Sequence, residues 1–279
     1  MDLQSKLIIN LCPTGMIPQK SDTPHLCITP VEIAKDVKRC YELGVSIAHL
    51  HARDEQGAPV WQPERFAEII HEIKSFAPDL IIVVTTSGRN WSDLEKRCAV
   101  LDLSGDLKPD MASLTLGSMN FPKQASVNPP DVIQALAGKM HQKNIVPELE
   151  IFDIGMINYG AYLIEQGVLK PPHYFNLLLG SLGTASLSAA NIGLMIQSLP
   201  RGSTWALAGI GRHQLAANTI AIALGGHVRT GLEDNLIYDF KIRSEASNPR
   251  FVERLLRIAK EFGREPATPS EARKIIGLL

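Results

Sequence analysis

Residues 29–53 read TPVEIAKDVKRCYELGVSIAHLHAR, one helical segment followed directly by one strand, and this unit recurs along the chain. Thr29 offers a side-chain acceptor to the free N–H groups of a helix start, Pro30 suits the first turn, and Glu32 places an early acid there. Helical periodicity runs from Ile33 to Leu43, and Gly44 closes the segment as a C-cap glycine would. Ser46–Leu50 is then an apolar run of strand length.

Seven further runs read as strands: Leu7–Leu11, Leu80–Thr85, Met111–Leu116, Glu148–Phe152, Tyr174–Leu179, Thr204–Gly209 and His227–Thr230. Several are continuous Val/Ile/Leu stretches, the pattern of parallel strands covered on both faces. Helix starts recur between them. Pro63-Glu64 opens Phe66–Phe76, Ser92-Asp93 opens Leu94–Leu101, Asn128-Pro129-Pro130-Asp131 precedes Val132–Met140, and Ser247-Asn248-Pro249 precedes Phe251–Phe262. Eight alternations without a break in composition predict an α/β protein, a single-domain (β/α)8 TIM barrel over residues 1–279. From about Glu265 the tail is expected to form a short helical extension packed outside the barrel. Right-handed crossovers put the C-terminal end of every strand on one rim, where the active sites of such barrels lie.

Lys and Arg total 28 against 29 Asp and Glu, a net charge of −1, so no electrostatic case exists for nucleic acid. Met1 to Lys6 lacks the cationic start and long apolar run of a secretory leader. The longest apolar candidate, Asn218–Leu224, ends at Gly225-Gly226 after two helical turns, well short of the roughly 18 to 20 residues that span a bilayer. Cys12, Cys27, Cys40 and Cys98 form no CxxC pair, which favours buried free thiols over a disulfide framework. These features predict a soluble, cytoplasmic protein.

The strongest chemical signal is Ala48-His49-Leu50-His51-Ala52-Arg53 at the end of the second strand. Side chains two apart on a strand share a face, so His49 and His51 both point toward the barrel axis and can reach one metal ion. Imidazole ligands with a carboxylate and an open position suit zinc. Either histidine alone reads better as a hydrogen-bonded residue near the surface; the pair at the rim favours metal. A third ligand is available in the last strand and its loop, Gly225-Gly226-His227-Val228-Arg229-Thr230-Gly231-Leu232-Glu233-Asp234-Asn235. Glu233 and Asp234 there can face the metal, or can simply begin a helix, where acids are favoured. Glu148 and Glu150 share one face of the fifth strand, and charges aimed into a barrel require a partner, for which Arg229 is the evident cation. Thr85-Thr86-Ser87-Gly88 after strand three and Ser113 on strand four offer hydroxyl and N–H donors to a substrate carboxylate. Gly209-Ile210-Gly211-Arg212-His213 enters a helix N-terminus as a phosphate site would, although the third glycine of a dinucleotide fingerprint is missing.

Five stretches together resemble the β-keto acid cleavage enzyme family: His49-Leu50-His51; Pro147-Glu148-Leu149-Glu150-Ile151-Phe152-Asp153; Gly202-Ser203-Thr204-Trp205; Ala208-Gly209-Ile210-Gly211-Arg212-His213-Gln214; and Gly225-Gly226-His227-Val228-Arg229 through Asn235. The resemblance covers Leu7 to about Ile275. It implies a zinc-dependent, Claisen-type exchange in which a β-keto acid and acetyl-CoA give acetoacetate and a new acyl-CoA, on a (β/α)8 barrel and usually in a homotetramer. By the same resemblance the zinc ligands fall on His49, His51 and Glu233, and the catalytic arginine and aspartate on Arg229 and Asp234. The supporting glutamate falls on Glu150, with Glu148 the alternative. Contacts to the keto acid fall near Thr85, Gly88 and Ser113. One departure bears on substrate. Members that cleave an amino-bearing keto acid carry a glutamate two residues past Thr14-Gly15, where this chain has Ile17. Without that partner a cationic substrate is disfavoured in a dry pocket, so an uncharged or apolar β-keto acid is expected. Two other readings compete: a metal-dependent aldolase or hydrolase working without CoA, and a non-catalytic small-molecule binding protein.

Overall fold

The first helix shows how local chemistry sets the elements. Thr29 Oγ1 accepts the Glu32 N–H at 3.2 Å while Glu32 Oε2 accepts the Thr29 N–H at 3.2 Å, a reciprocal cap that starts α1 (Pro30–Glu42). Gly44, at φ +111, turns the chain out of the helix toward the next strand. The computed structural model of the protein describes residues 3–278; Met1, Asp2 and Leu279, at the ends of the domain read from the sequence, lie outside the described residues.

Eight parallel strands close into a barrel. They are β1 (Ile9–Leu11), β2 (Ile47–Leu50), β3 (Ile81–Val84), β4 (Met111–Thr115), β5 (Val146–Ile151), β6 (Tyr174–Leu179), β7 (Thr204–Gly209) and β8 (His227–Thr230). Each neighbours its successor, and β8 returns to pair with β1 through Arg229 opposite Asn10. The helices α2 (Pro63–Lys74), α3 (Leu94–Ala99), α4 (Pro130–Gln142), α5 (Ile154–Glu165), α6 (Ala189–Ser198), α7 (Gln214–Ala223) and α8 (Asn248–Glu261) complete the alternation with α1. The single barrel expected from the sequence is thus observed, with α9 (Pro269–Ile276) after it.

Three local differences have physical reasons. The apolar run Leu7–Leu11 divides in two, because the Ile8 N–H donates to His227 Nδ1 at 3.1 Å rather than to a strand. Lys6–Leu7 instead pairs in parallel with Glu265–Pro266. The segment Leu94–Leu101 is α-helical to Ala99 and tightens to a 3-10 turn over Val100–Asp102. The tail helix α9 is no passive extension: Ala272 and Ile276 pack with Ile8, Ile47, Ile81, Val83, Met111 and Tyr174, closing the N-terminal mouth. Those apolar side chains form the barrel floor. One step up six of the eight strands, the same inward face carries Asn10, His49, Ser113, Glu148, Asn176 and Arg229, all buried and all polar. All four cysteines are buried and free, and no helix among the described residues is long and apolar enough to cross a membrane.

Burial, reinforced by the charge of Arg264, pushes the His227 pKa down to about 3. In unfolded chain the imidazole titrates near 6.5, so between these values only the unfolded state takes the proton and stability falls as pH drops. The slope is roughly 1.4 kcal/mol per pH unit. From pH 7 to pH 5, denaturant unfolding of the wild type should lose about 2 kcal/mol more than that of His227→Asn, which keeps an acceptor for Ile8. Equal losses in the two proteins would show that His227 is not responsible.

Candidate active site

Alternation along β2 aims His49 inward from the strand, and His51 follows just past its end on the same face. Both imidazoles are buried, with ring centroids 5.2 Å apart. His49 Nδ1 lies 2.6 Å from Glu148 Oε2, and the other Glu148 oxygen accepts from Asn10 Nδ2 at 2.6 Å and Asn176 Nδ2 at 3.1 Å. A carboxylate so placed accepts a hydrogen bond from the Nδ1–H and leaves Nε2 as the free ligand nitrogen of His49. Burial works against the charged forms of both partners, yet their mutual attraction prevails: the His49 pKa is raised and the Glu148 pKa lowered.

The third group arrives from the far end of the chain. Glu233 sits on the loop after β8, and its Oε1 lies 3.2 Å from His51 Nε2. Gly15 makes room for it: at φ +65, a Cβ there would stand 2.6 Å from Glu233 Cγ. Gly231 does the same for the loop itself, since a Cβ would meet the Cys12 carbonyl oxygen at 2.0 Å. Ligand atoms of His49, His51 and Glu233 all lie within 4.8 Å of one another. Both ring nitrogens of His51 and Glu233 Oε2 are buried without a hydrogen bond. Lone pairs turned toward one another and left unbonded suit a cation, and a tetrahedral ion about 2 Å from each donor would hold neighbouring ligands roughly 3.4 Å apart. A divalent metal fits this donor set.

Arg229 organises the acids. Its Nε reaches Asp234 Oδ2 at 3.1 Å, Nη2 reaches Asp234 Oδ1 at 3.2 Å and Glu233 Oε1 at 2.7 Å, and Nη1 reaches Glu150 Oε1 at 3.5 Å. Asp234 Oδ2 also accepts the Cys12 thiol at 3.1 Å. Burial, with the Asp234 charge beside it, raises the Cys12 pKa well above the usual thiol value, so sulfur is the donor. Burial opposes ionisation of Glu233 too, but its contact with His51 and the Arg229 guanidinium overcome it and hold that carboxyl well below its ordinary range. Glu150 goes the other way: burial raises its pKa, and Arg229 offsets this only in part. Thr115 Oγ1 donates to Glu150 Oε2 at 2.7 Å. Three carboxyl groups thus meet one guanidinium, an excess of acid that a divalent ion would balance.

These groups open onto a cavity of about 280 Å³ at the C-terminal rim, with His51, Glu150, Arg229, Glu233 and Asp234 in its wall. Of the substrate-contact residues read from the sequence, Thr85 and Ser87 line it. Thr86, Gly88 and Ser113 do not. Thr86 and Ser113 bond to each other, the Thr86 N–H to Ser113 Oγ at 3.1 Å and the Thr86 hydroxyl to the Ser113 carbonyl at 2.5 Å. Gly88 is packed under Val127 and Arg97, where a Cβ would lie 2.5 Å from the Val127 carbonyl oxygen. The expected phosphate cradle is likewise taken up internally: the Gly211 N–H donates to the Asp234 carbonyl at 2.7 Å and the Ile210 N–H to Leu179 at 2.9 Å. The sequence reading missed the wall built by Arg89 and by Met119, Phe121 and Gln124. The last three sit on or beside a hairpin, Met119–Asn120 against Ala125–Ser126, in the connection from β4 to α4. Its signal was length, since that connection exceeds the usual two to six residues of a βα loop.

A family model described as beta-keto acid cleavage enzyme matches residues 6–278. A 3-keto-5-aminohexanoate cleavage enzyme of Fusobacterium nucleatum is 40% identical over 278 residues, covering 99% of both chains. A 3-oxoadipate:acetyl-CoA acetyltransferase of Cupriavidus necator is 35% identical over 274 residues, covering 97% of this chain and 94% of that one. Among solved structures, apo ObcA superposes with a TM-score of 0.76 at 22% identity over 92% of this chain; the match spans 66% of ObcA, and the likeness speaks to the fold.

Removing the charge of Glu148 should weaken the metal site without touching a ligand. Glu148→Gln is expected to lower affinity for a divalent ion about 10- to 100-fold in a chelator competition, because the orienting partner of His49 is lost. Unchanged affinity would mean that Glu148 has no part in holding the imidazole.

Proposed function

Because the chain belongs to the beta-keto acid cleavage enzyme family, we propose that it catalyses a zinc-dependent exchange between a β-keto acid and acetyl-CoA, releasing acetoacetate and a new acyl-CoA. The observation that carries this reading is the convergence of His49, His51 and Glu233 beside a cavity whose wall also holds Asp234 and Arg229. His49, His51 and Glu233 would hold the zinc, which when bound supplies a Lewis acid to the keto acid's β-carbonyl.

The remaining roles belong to the chain. Asp234, held by Arg229 and Cys12, faces the cavity and takes the proton from the carbon between the two carbonyls. That carbon attacks the thioester of acetyl-CoA and CoA thiolate leaves. The thiolate then adds to the original β-carbonyl, the bond to the acetylated carbon breaks, and the proton returns to give acetoacetate. Thr85 and Ser87 supply hydroxyl donors to the substrate's polar end. Glu150, bonded to Thr115 and near Arg229, is the supporting acid of the cavity, while Glu148 serves His49. Ile17, 47% exposed and in the cavity wall, offers no anion to a substrate ammonium group. The names of the relatives support acetyl-CoA as co-substrate over CoA-independent aldol or hydrolytic chemistry.

Release of acetoacetate from a panel of β-keto acids should require acetyl-CoA. Asp234→Asn should lower kcat by about 100-fold or more, the scale of a lost general base. His51→Ala should lose metal and turnover together. Turnover independent of acetyl-CoA, or full activity in either variant, would overturn the proposal. We extend it to a homotetramer, as the resemblance implies; light scattering should give four times the 30.6 kDa chain mass, and a monomer would exclude it.

A further inference from the structure

Arg89 is a cation of the cavity wall that no carboxylate neutralises. Among the described residues its guanidinium makes no hydrogen bond and no ion pair, and its Nε is buried without a partner. Its contact is with the Phe121 ring, whose centroid lies 3.5 Å from the guanidinium carbon. The buried arginines, by contrast, are satisfied. Arg229 binds three carboxylates, Arg53 bonds the Gly15 and Gly57 carbonyls, and Arg97 bonds the Thr86 carbonyl and Asn128. Stacking occupies a face of a guanidinium and leaves its in-plane N–H donors unused. A guanidinium nitrogen shut off from water with its donor idle is costly unless a ligand completes it. The acids of the same wall, Glu150, Glu233 and Asp234, are already engaged by Arg229 and are not free to do so.

The donors beside it decide which ligand group Arg89 meets. Thr85, directly after β3, opens the polar stretch, and Arg89 follows four residues later, next to the exposed Asn90. Thr85 and Ser87 in the same wall already offer hydroxyls to the carboxylate that every β-keto acid carries, so Arg89 is left for a further anion. Ile17 shares the cavity wall and brings no charge. The expectation of an uncharged or apolar acid weighed Ile17 alone.

Resting on the reaction assigned above, we propose that Arg89 is a specificity-determining residue that binds a second carboxylate at the far end of the substrate, and that the substrate is a β-keto dicarboxylate. A planar guanidinium fixed by an aromatic ring is suited to bidentate recognition of such a group. The test compares 3-oxoadipate with 3-oxohexanoate, which has the same carbon chain without the second carboxylate, each with acetyl-CoA. The unaltered enzyme should prefer the dicarboxylate in kcat/KM by about 10- to 100-fold, the scale of charge-assisted hydrogen bonds. Arg89→Gln should bring that ratio toward one, mainly through KM of the dicarboxylate. The comparison in the unaltered enzyme stands even if the variant folds poorly. Equal loss for both acids would assign Arg89 to the carboxylate they share, and a rise confined to the KM of acetyl-CoA would assign it to a CoA phosphate; either overturns the proposal. Turnover of both acids without preference overturns it while the assigned reaction stands. Turnover of neither, nor of any β-keto acid in the panel, overturns both.

Discussion

A single guanidinium, that of Arg229, holds the centre of this molecule together. It is 1% exposed and reaches Glu150 on β5 and Glu233 and Asp234 on the loop after β8. A charge buried so completely is tolerated only because its donors are engaged by acids, and those acids are tolerated only because of it. The arrangement joins opposite sides of the barrel and pins the last loop against the first, where Gly15 yields space to Glu233. Removing Arg229 would therefore leave several buried carboxylates facing one another.

The network remains anionic even with Arg229 in place, and this imbalance gives the site its chemical character. Glu148 is committed to His49, Glu233 is ionised beside His51, and Asp234 is oriented by two donors. Unbonded lone pairs on His51 and Glu233 then face a common point. A divalent ion there would answer both the charge and the idle acceptors, which is why metal chemistry follows from the electrostatics as much as from the ligand types.

The barrel makes this possible by layering. Below the polar level, Ile8, Ile47, Ile81, Val83, Met111 and Tyr174 fill the floor, and α9 seals it through Ala272 and Ile276. Water is excluded from beneath, so the polar side chains above satisfy one another or await a ligand from the rim. Dry support from below lets buried hydrogen bonds hold their geometry, since each broken one exposes an unpaired group in a low-dielectric interior.

Strand runs, helix caps and the two-residue period of strands are local properties, and they were legible: the eight strands, the start of α1 and the common face of His49 and His51 all follow from neighbouring residues. The partnership of Glu148 with His49 was not, because both glutamates share one parity and only their depth in the closed barrel separates them. Thr86 and Gly88 looked like substrate contacts for the same reason; their composition suits an anion, yet the fold engages them with Ser113, Val127 and Arg97. Arg89 carried no local signal at all. The chain by itself determined which faces are apolar and which residues can bind a metal, since those depend on side-chain chemistry and short-range periodicity. Tertiary structure alone decided which charges meet and which stay unpaired, because closing the barrel brings together groups up to 180 or more positions apart, as in the approach of Arg229 to His49.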